Sequence, residues 1–146
     1  MCGINGIMDF NGNKPDRMIL VDMNMSIQHR GPDAGNVEIF GNIGLGHRRL
    51  SIIDLAPRSD QPMISENSRY AIAYNGEIYN FPILKDELLA LGFSFKTSSD
   101  TEVVLKAYEA WGTSCFQKLN GMFALAIVDT STGELIIARD SLGIKP

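Results

Sequence analysis

Two runs limit what this chain can fold into. In "YAIAYN" the large side chains Tyr70, Ile72 and Tyr74 alternate with Ala71, Ala73 and Asn75. In "MFALAIVD" Phe123, Leu125 and Ile127 alternate with Ala124, Ala126 and Val128. A period of two marks a strand, and a strand that is apolar on both faces must be covered on both. One face of large residues and one of small residues predict a sheet with helices outside it and a second sheet inside.

The other segments supply those layers. Residues 3 to 10 read as a strand and "NGN" as a turn. A methionine-rich helix is predicted from Pro15 to about Arg30, with Met18, Val21 and Met25 on one face and Leu20, Met23 and Ile27 beside them. Gly31-Pro32 stops it. Short strands follow near Val37 to Phe40 and Leu45 to Ile53, and a loop from Pro57 to Pro62 leads to "RYAIAYNGEIYNF". Asn80 is placed to cap a helix carrying Leu84, Leu88 and Leu91, ended by Gly92. Ser99 and Glu102 form a capping box for another, with Val104, Tyr108 and Trp111 buried and Gly112 as its stop. One domain is expected from 146 residues. This order of elements predicts an α+β layered sandwich, not a doubly wound parallel sheet.

Composition removes several function classes. The net charge is −4, with no run rich in lysine or arginine. A nucleic-acid or anionic-membrane partner needs a basic face, so neither is expected. No stretch approaches the roughly 18 apolar residues of a membrane span. Asp9, Lys14, Asp16 and Arg17 interrupt the region where a signal peptide would be apolar, so a cytoplasmic location is expected. Cys2 and Cys115 are too few for a disulfide framework or a Cys-x-x-Cys zinc site. His29 and His47 form no helical pair, and no metal site is expected.

A cysteine directly behind Met1 is either an incidental small residue or a nucleophile. Cysteine at the second position permits removal of the initiator methionine. Cys2 would then carry a thiol and a free α-amine, whose pKa of about 7.7–8.0 makes it a usable base at neutral pH. Asn75-Gly76 closes a strand with an amide side chain beside a flexible backbone N–H, the pair an oxyanion hole requires; an ordinary Asn-Gly turn explains it equally. Asp100 either complements a helix dipole or holds a substrate ammonium. Arg49 is either a solvated surface charge or a two-pronged grip on a carboxylate. His47 reads as structural and Cys115 as a core thiol.

Taken together, "MCGINGI", "HRGPDAG", "GHRRLSIIDL", "QPM", "YNGEIYN", "SSDTEV", "NGMFALAIVD" and "ARDSLGIKP" resemble the glutaminase domain of class II glutamine amidotransferases. The likeness leans toward the branch of glutamine-hydrolysing asparagine synthetases. It implies a four-layer αββα sandwich of two antiparallel sheets, of the N-terminal nucleophile hydrolase type, spanning residues 1–146. It also implies an incomplete C-terminus, with further strands and a synthetase domain to follow.

By that resemblance Cys2 attacks the glutamine side-chain amide to form a thioester, and Asn75 and Gly76 form the oxyanion hole. Arg49 holds the substrate carboxylate beside the backbone of Leu50, Ser51, Ile52 and Ile53, and Glu77 and Asp100 surround the amino group. "HRGPDAG" is expected near the nucleophile, with Arg30 as a buried ion-pair partner. The glutaminase domain needs no cofactor; ATP and magnesium would serve the synthetase domain. L-glutamine and that domain are the expected partners, and a homodimer is left open. Two alternatives stand: the same glutaminase feeding a sugar carboxylate, or a non-catalytic scaffold that keeps Met1.

Overall fold

The computed structural model describes residues 2–50 and 59–146. Two antiparallel sheets face each other. The first has the order β1 (Gly3–Met8), β3 (Ile43–Arg49), β2 (Ala34–Phe40). The second has the order β4 (Met63–Ile64), β5 (Tyr70–Ile78), β6 (Gly121–Asp129), β7 (Glu134–Arg139). Helix α1 (Arg17–Ser26) covers the first sheet, while α2 (Phe81–Ala90) packs on α3 (Asp100–Trp111), which covers β5. The layers run helix, sheet, sheet, helices, as expected.

The register of β5 on β6 explains this layering. Ile72 lies opposite Ile127 and Tyr74 opposite Leu125, while Ala71 faces Val128 and Ala73 faces Ala126. The large faces therefore coincide. Ile72, Tyr74, Leu125 and Ile127 pack with Leu84, Leu88, Val103, Val104 and Tyr108 of the helices in one apolar cluster. The small faces coincide too, and Ala73 and Val128 meet Ile43 and Leu45 of β3 between the sheets. Each fully buried Leu or Ile stabilises this packing by roughly 1.5–3 kcal/mol.

Several local expectations need correction. Helix α1 is shorter than predicted, being capped by Asp16 and followed by a 3-10 turn at Gln28–Arg30. Its buried residues are Leu20 and Asn24, whereas Met18 and Met25 are 65% and 51% exposed. The cause is the glycine-lined outer face of β3. A Cβ on Gly44 would lie 2.8 Å from Leu20 Cδ2, so the helix sits close enough for one leucine to fill the gap. Polar contacts do the rest: Asn24 Nδ2 donates to the Asn36 and His47 carbonyls, and Arg48 Nε donates to the Asn24 carbonyl.

Asn75 and Gly76 do not end a strand, because β5 continues to Ile78 with Gly76 opposite Phe123. Asn80 precedes α2 but its side chain does not cap it; it bridges to the Lys118 carbonyl and the Asn120 amide. Leu91 is 59% exposed. The Ser99 cap is present, with Ser99 Oγ accepting from the Glu102 amide, and Gly112 ends α3 at φ 56°. The Glu102 carboxylate departs from the capping-box pattern by taking the Lys96 and Thr97 amides. The strand expected to reach Ile53 is observed as far as Arg49; Ser51 to Ile53 lie outside the described residues.

Candidate active site

A cleft of about 280 Å³ opens where the two sheets meet the N-terminus of α3. Cys2, Arg49, Leu50, Asn75, Gly76, Glu77 and Asp100 all line it. Of the site residues expected from sequence, Ser51, Ile52 and Ile53 lie outside the described residues.

Cys2 stands just before β1, whose Gly3 pairs with Arg48 of β3, so the thiol is carried to the end of the central strand. The Leu50 amide lies 3.4 Å from Cys2 Sγ and the Leu50 carbonyl 3.8 Å away. A thiol can donate to that carbonyl, while a thiolate can accept from that amide. Arg30 Nε donates to the Cys2 carbonyl at 3.1 Å. Among the described residues Arg30 therefore holds the Cys2 backbone and makes no ion pair of the kind expected from sequence, and its buried Nη2 has no hydrogen-bond partner among them.

The edge of β5 supplies the next wall. Edge strand β4 pairs with Ala71 and Ile72, and among the described residues no strand pairs with β5 beyond them on that side. The Tyr74 amide on that edge is taken by Gln61 Oε1 at 2.6 Å, and the Ile78 amide by Asp100 Oδ2 at 3.1 Å. Strand periodicity aims the Gly76 N–H along the same edge, and it has no partner among the described residues. A side chain at Gly76 is excluded by contact with β6, since its Cβ would fall 2.6 Å from the Met122 carbonyl oxygen. Asn75 is on the other face of the strand, with Ala73, toward the first sheet. It is 3% exposed.

Charges are arranged at the rim. Arg49 is only 6% exposed, which removes the reading of a solvated surface charge. Its Nη1 meets Asp60 Oδ1 at 2.7 Å. Asp100 opens α3 and is held at Oδ2 by the Tyr74 hydroxyl at 2.7 Å as well as the Ile78 amide. Burial raises the Asp100 carboxyl above the usual carboxylate range, and these hydrogen bonds oppose that rise. Glu77 is exposed at the mouth.

Sequence reasoning missed Ser59, Gln61, Tyr74, Ser99, Thr101, Met122 and Lys145, which also line the cleft. Ser59 is 2% exposed and its hydroxyl has no hydrogen-bond partner among the described residues. "QPM" and "ARDSLGIKP" were visible as motifs, yet nothing local assigned Gln61 or Lys145 to a site. Lys145 arrives there because Asp140 gathers the amides of Phe123, Leu142, Ile144 and Lys145.

His47 and Cys115 take the structural places expected. His47 Nε2 donates to the Tyr74 carbonyl at 3.0 Å, and burial lowers the ring's pKa to about 4, so it is neutral. Cys115 is fully buried and its thiol is pushed up to about 12 by that burial. Among the described residues no helix is long and apolar enough to cross a membrane, and no group of three or more His, Cys, Asp and Glu could hold a metal ion.

This arrangement can hold a small zwitterion by its charged end and present its other end to a thiol. A sequence profile described as "Glutamine amidotransferase domain" matches residues 1–146. A putative glutamine-hydrolyzing asparagine synthetase 2 of Methanocaldococcus jannaschii is 40% identical over the whole chain, which covers 31% of that relative. Asparagine synthetase [glutamine-hydrolyzing] 3 of Bacillus subtilis is 41% identical over the whole chain, which covers 24% of it. The chain thus spans between about a quarter and a third of the length of these relatives. Among solved structures, the glutamine phosphoribosylpyrophosphate amidotransferase of B. subtilis, complexed with ADP and GMP, superposes with a TM-score of 0.81 at 27% identity. That match covers 99% of this chain and 38% of the other.

Proposed function

The chain belongs to the glutamine amidotransferase domain family, and from that premise we propose that it hydrolyses L-glutamine to glutamate and ammonia through a thioester on Cys2. The observation that carries this is the pairing in one cleft of a thiol with a strand-edge amide that has no partner among the described residues, opposite a buried arginine and a buried aspartate.

The steps follow from these positions. With Met1 removed, the Cys2 α-amine takes the thiol proton, and the Leu50 amide donates a hydrogen bond to the sulfur as it becomes charged. The thiolate adds to the side-chain amide carbon of glutamine. Asn75 Nδ2 and the Gly76 N–H receive the oxyanion, in a wall already fixed by β6. The α-ammonium returns the proton to the departing nitrogen, which leaves as ammonia when the C–N bond breaks. Water then adds to the thioester, the C–S bond breaks, and glutamate leaves. Arg49 binds the α-carboxylate, sharing its guanidinium with Asp60, and Asp100 and Glu77 bind the α-ammonium. Ser51 to Ile53 would contribute backbone beside Leu50.

The names of the relatives support an asparagine synthetase as the parent activity, in which ammonia goes to an acceptor activated with ATP and magnesium. That chemistry belongs to a further domain, and no residue described above is assigned to it. A sugar carboxylate as acceptor has no comparable support. Such an enzyme would work in the cytoplasm.

The test is covalent labelling. A glutamine analogue with an electrophilic side chain should modify Cys2 and spare Cys115, and Cys2→Ala should abolish ammonia release while glutamine still binds. Intact mass of the active protein should lack one methionine. Labelling of Cys115 alone, or turnover by chains that keep Met1, would sink the proposal. Chains that keep Met1 and release no ammonia would instead favour the scaffold reading for the untrimmed form.

A further inference from the structure

We infer that Tyr74 is a positioning residue for substrate binding: its phenol fixes the Asp100 carboxylate in the orientation and charge state that receive the substrate ammonium. This rests on the reading of Asp100 as the ammonium-binding anion.

The geometry is a closed circuit of buried groups. Tyr74 is bound at both ends, its backbone N–H donating to Gln61 Oε1 at 2.6 Å and its hydroxyl to Asp100 Oδ2 at 2.7 Å. Gln61 Nε2 in turn donates to Thr101 Oγ1 at 3.2 Å, next to Asp100 on α3. Strand β5, the segment before β4 and the start of α3 are thereby locked to one another around the carboxylate. Tyr74, Gln61, Asp100 and Thr101 are all less than a tenth exposed. Asp100 Oδ2 accepts from the phenol and the Ile78 amide, and the backbone amides of Thr101 and of Asp100 itself also donate to the carboxylate, which lines the cleft.

The direction of the hydrogen bond is set by acidity. Burial first, and then the Asp100 charge, push the Tyr74 phenol far above its ordinary range, so it stays protonated and can only donate here. A buried carboxylate without that donor would bind a proton more readily and so lose its attraction for an ammonium. A charge-assisted hydrogen bond of this kind corresponds to about one pH unit or more. Other charged or titratable groups on the same cleft are Cys2 before β1, Arg49 at the end of β3, Glu77 on β5 and Lys145 after β7. Glu102 lies two residues further along α3. None of them is altered when only the phenol oxygen is removed.

The experiment is a titration of the Asp100 carboxyl by ¹³C NMR in the substrate-free chain, compared with Tyr74→Phe. The inflexion should move to higher pH by about one unit or more. The acid limb of kcat/KM for glutamine should move with it, and near that limb KM should rise about tenfold while kcat falls much less. Global replacement of tyrosine by 3-fluorotyrosine, whose phenol is the stronger donor, keeps the ring in place and should shift the inflexion the opposite way. An inflexion that stays put in both forms overturns the assignment. Asp100→Asn with an unchanged KM would instead overturn the ammonium reading beneath it, because the titration is read without substrate.

Discussion

At the scale of single residues, the cleft assigns different work to groups that are close in space. On the proposed mechanism Asn75 and the Gly76 amide meet charge that exists only in the transition state, so Asn75→Ala should lower kcat by roughly 10²–10³ with a smaller change in KM. Arg49, on the same proposal, meets a charge the substrate always carries. Arg49→Lys should therefore raise KM about tenfold or more, since lysine cannot serve Asp60 and a second carboxylate from one planar fork. Steady-state ammonia release separates the two, and the reverse pattern would exchange their roles. Cys2, Arg49, Asn75 and Asp100 were legible because each pairs a reactive group with a motif. Tyr74, Gln61 and Ser59 were not. Their partners are far away in sequence, and an aromatic in an alternating strand reads as core whichever way its hydroxyl points.

Among the elements, strands were easier to read than helix faces. The alternation along β5 and β6 encodes both faces at once. In α1, by contrast, methionines and isoleucines occupy nearly every direction, and the glycines of β3 selected the Leu20 face. The segment after β7 depends on a side chain in a way no periodicity reveals. The Asp140 carboxyl is held below the usual carboxylate range, chiefly by the Ile144 amide, then by those of Lys145, Phe123 and Leu142, with burial opposing. The unfolded chain therefore binds this proton more readily than the folded one. The stability the carboxylate confers is fully present above the ordinary aspartate value of about 4 and is lost as pH falls through the lower folded value. Amide hydrogen exchange at Leu142, Ile144 and Lys145 should accelerate in that acid window. Asp140→Asn should show fast exchange already at neutral pH and no acid step, and an unchanged profile would mean that something else holds the segment.

For the whole molecule, the closeness of the two sheets rests on small residues, and Ala73 is one of them, fully buried in a cluster with Ile43 and Leu45. Ala73→Leu should cost roughly 1–3 kcal/mol by overpacking the gap between the sheets, read as a lower urea midpoint. A neutral result would mean that the sheets can part. The layered fold was readable because both cores are written into two strands. The position of the cleft was not, because it is assembled from positions as far apart as 2, 49, 76, 100 and 145. This has a consequence in time. A ribosome makes Cys2 almost first and Lys145 only after the rest of the cleft wall, an interval on the order of ten seconds at about 5–20 residues per second. In that interval the Cys2 thiol meets whatever diffuses to it with no cleft wall around it.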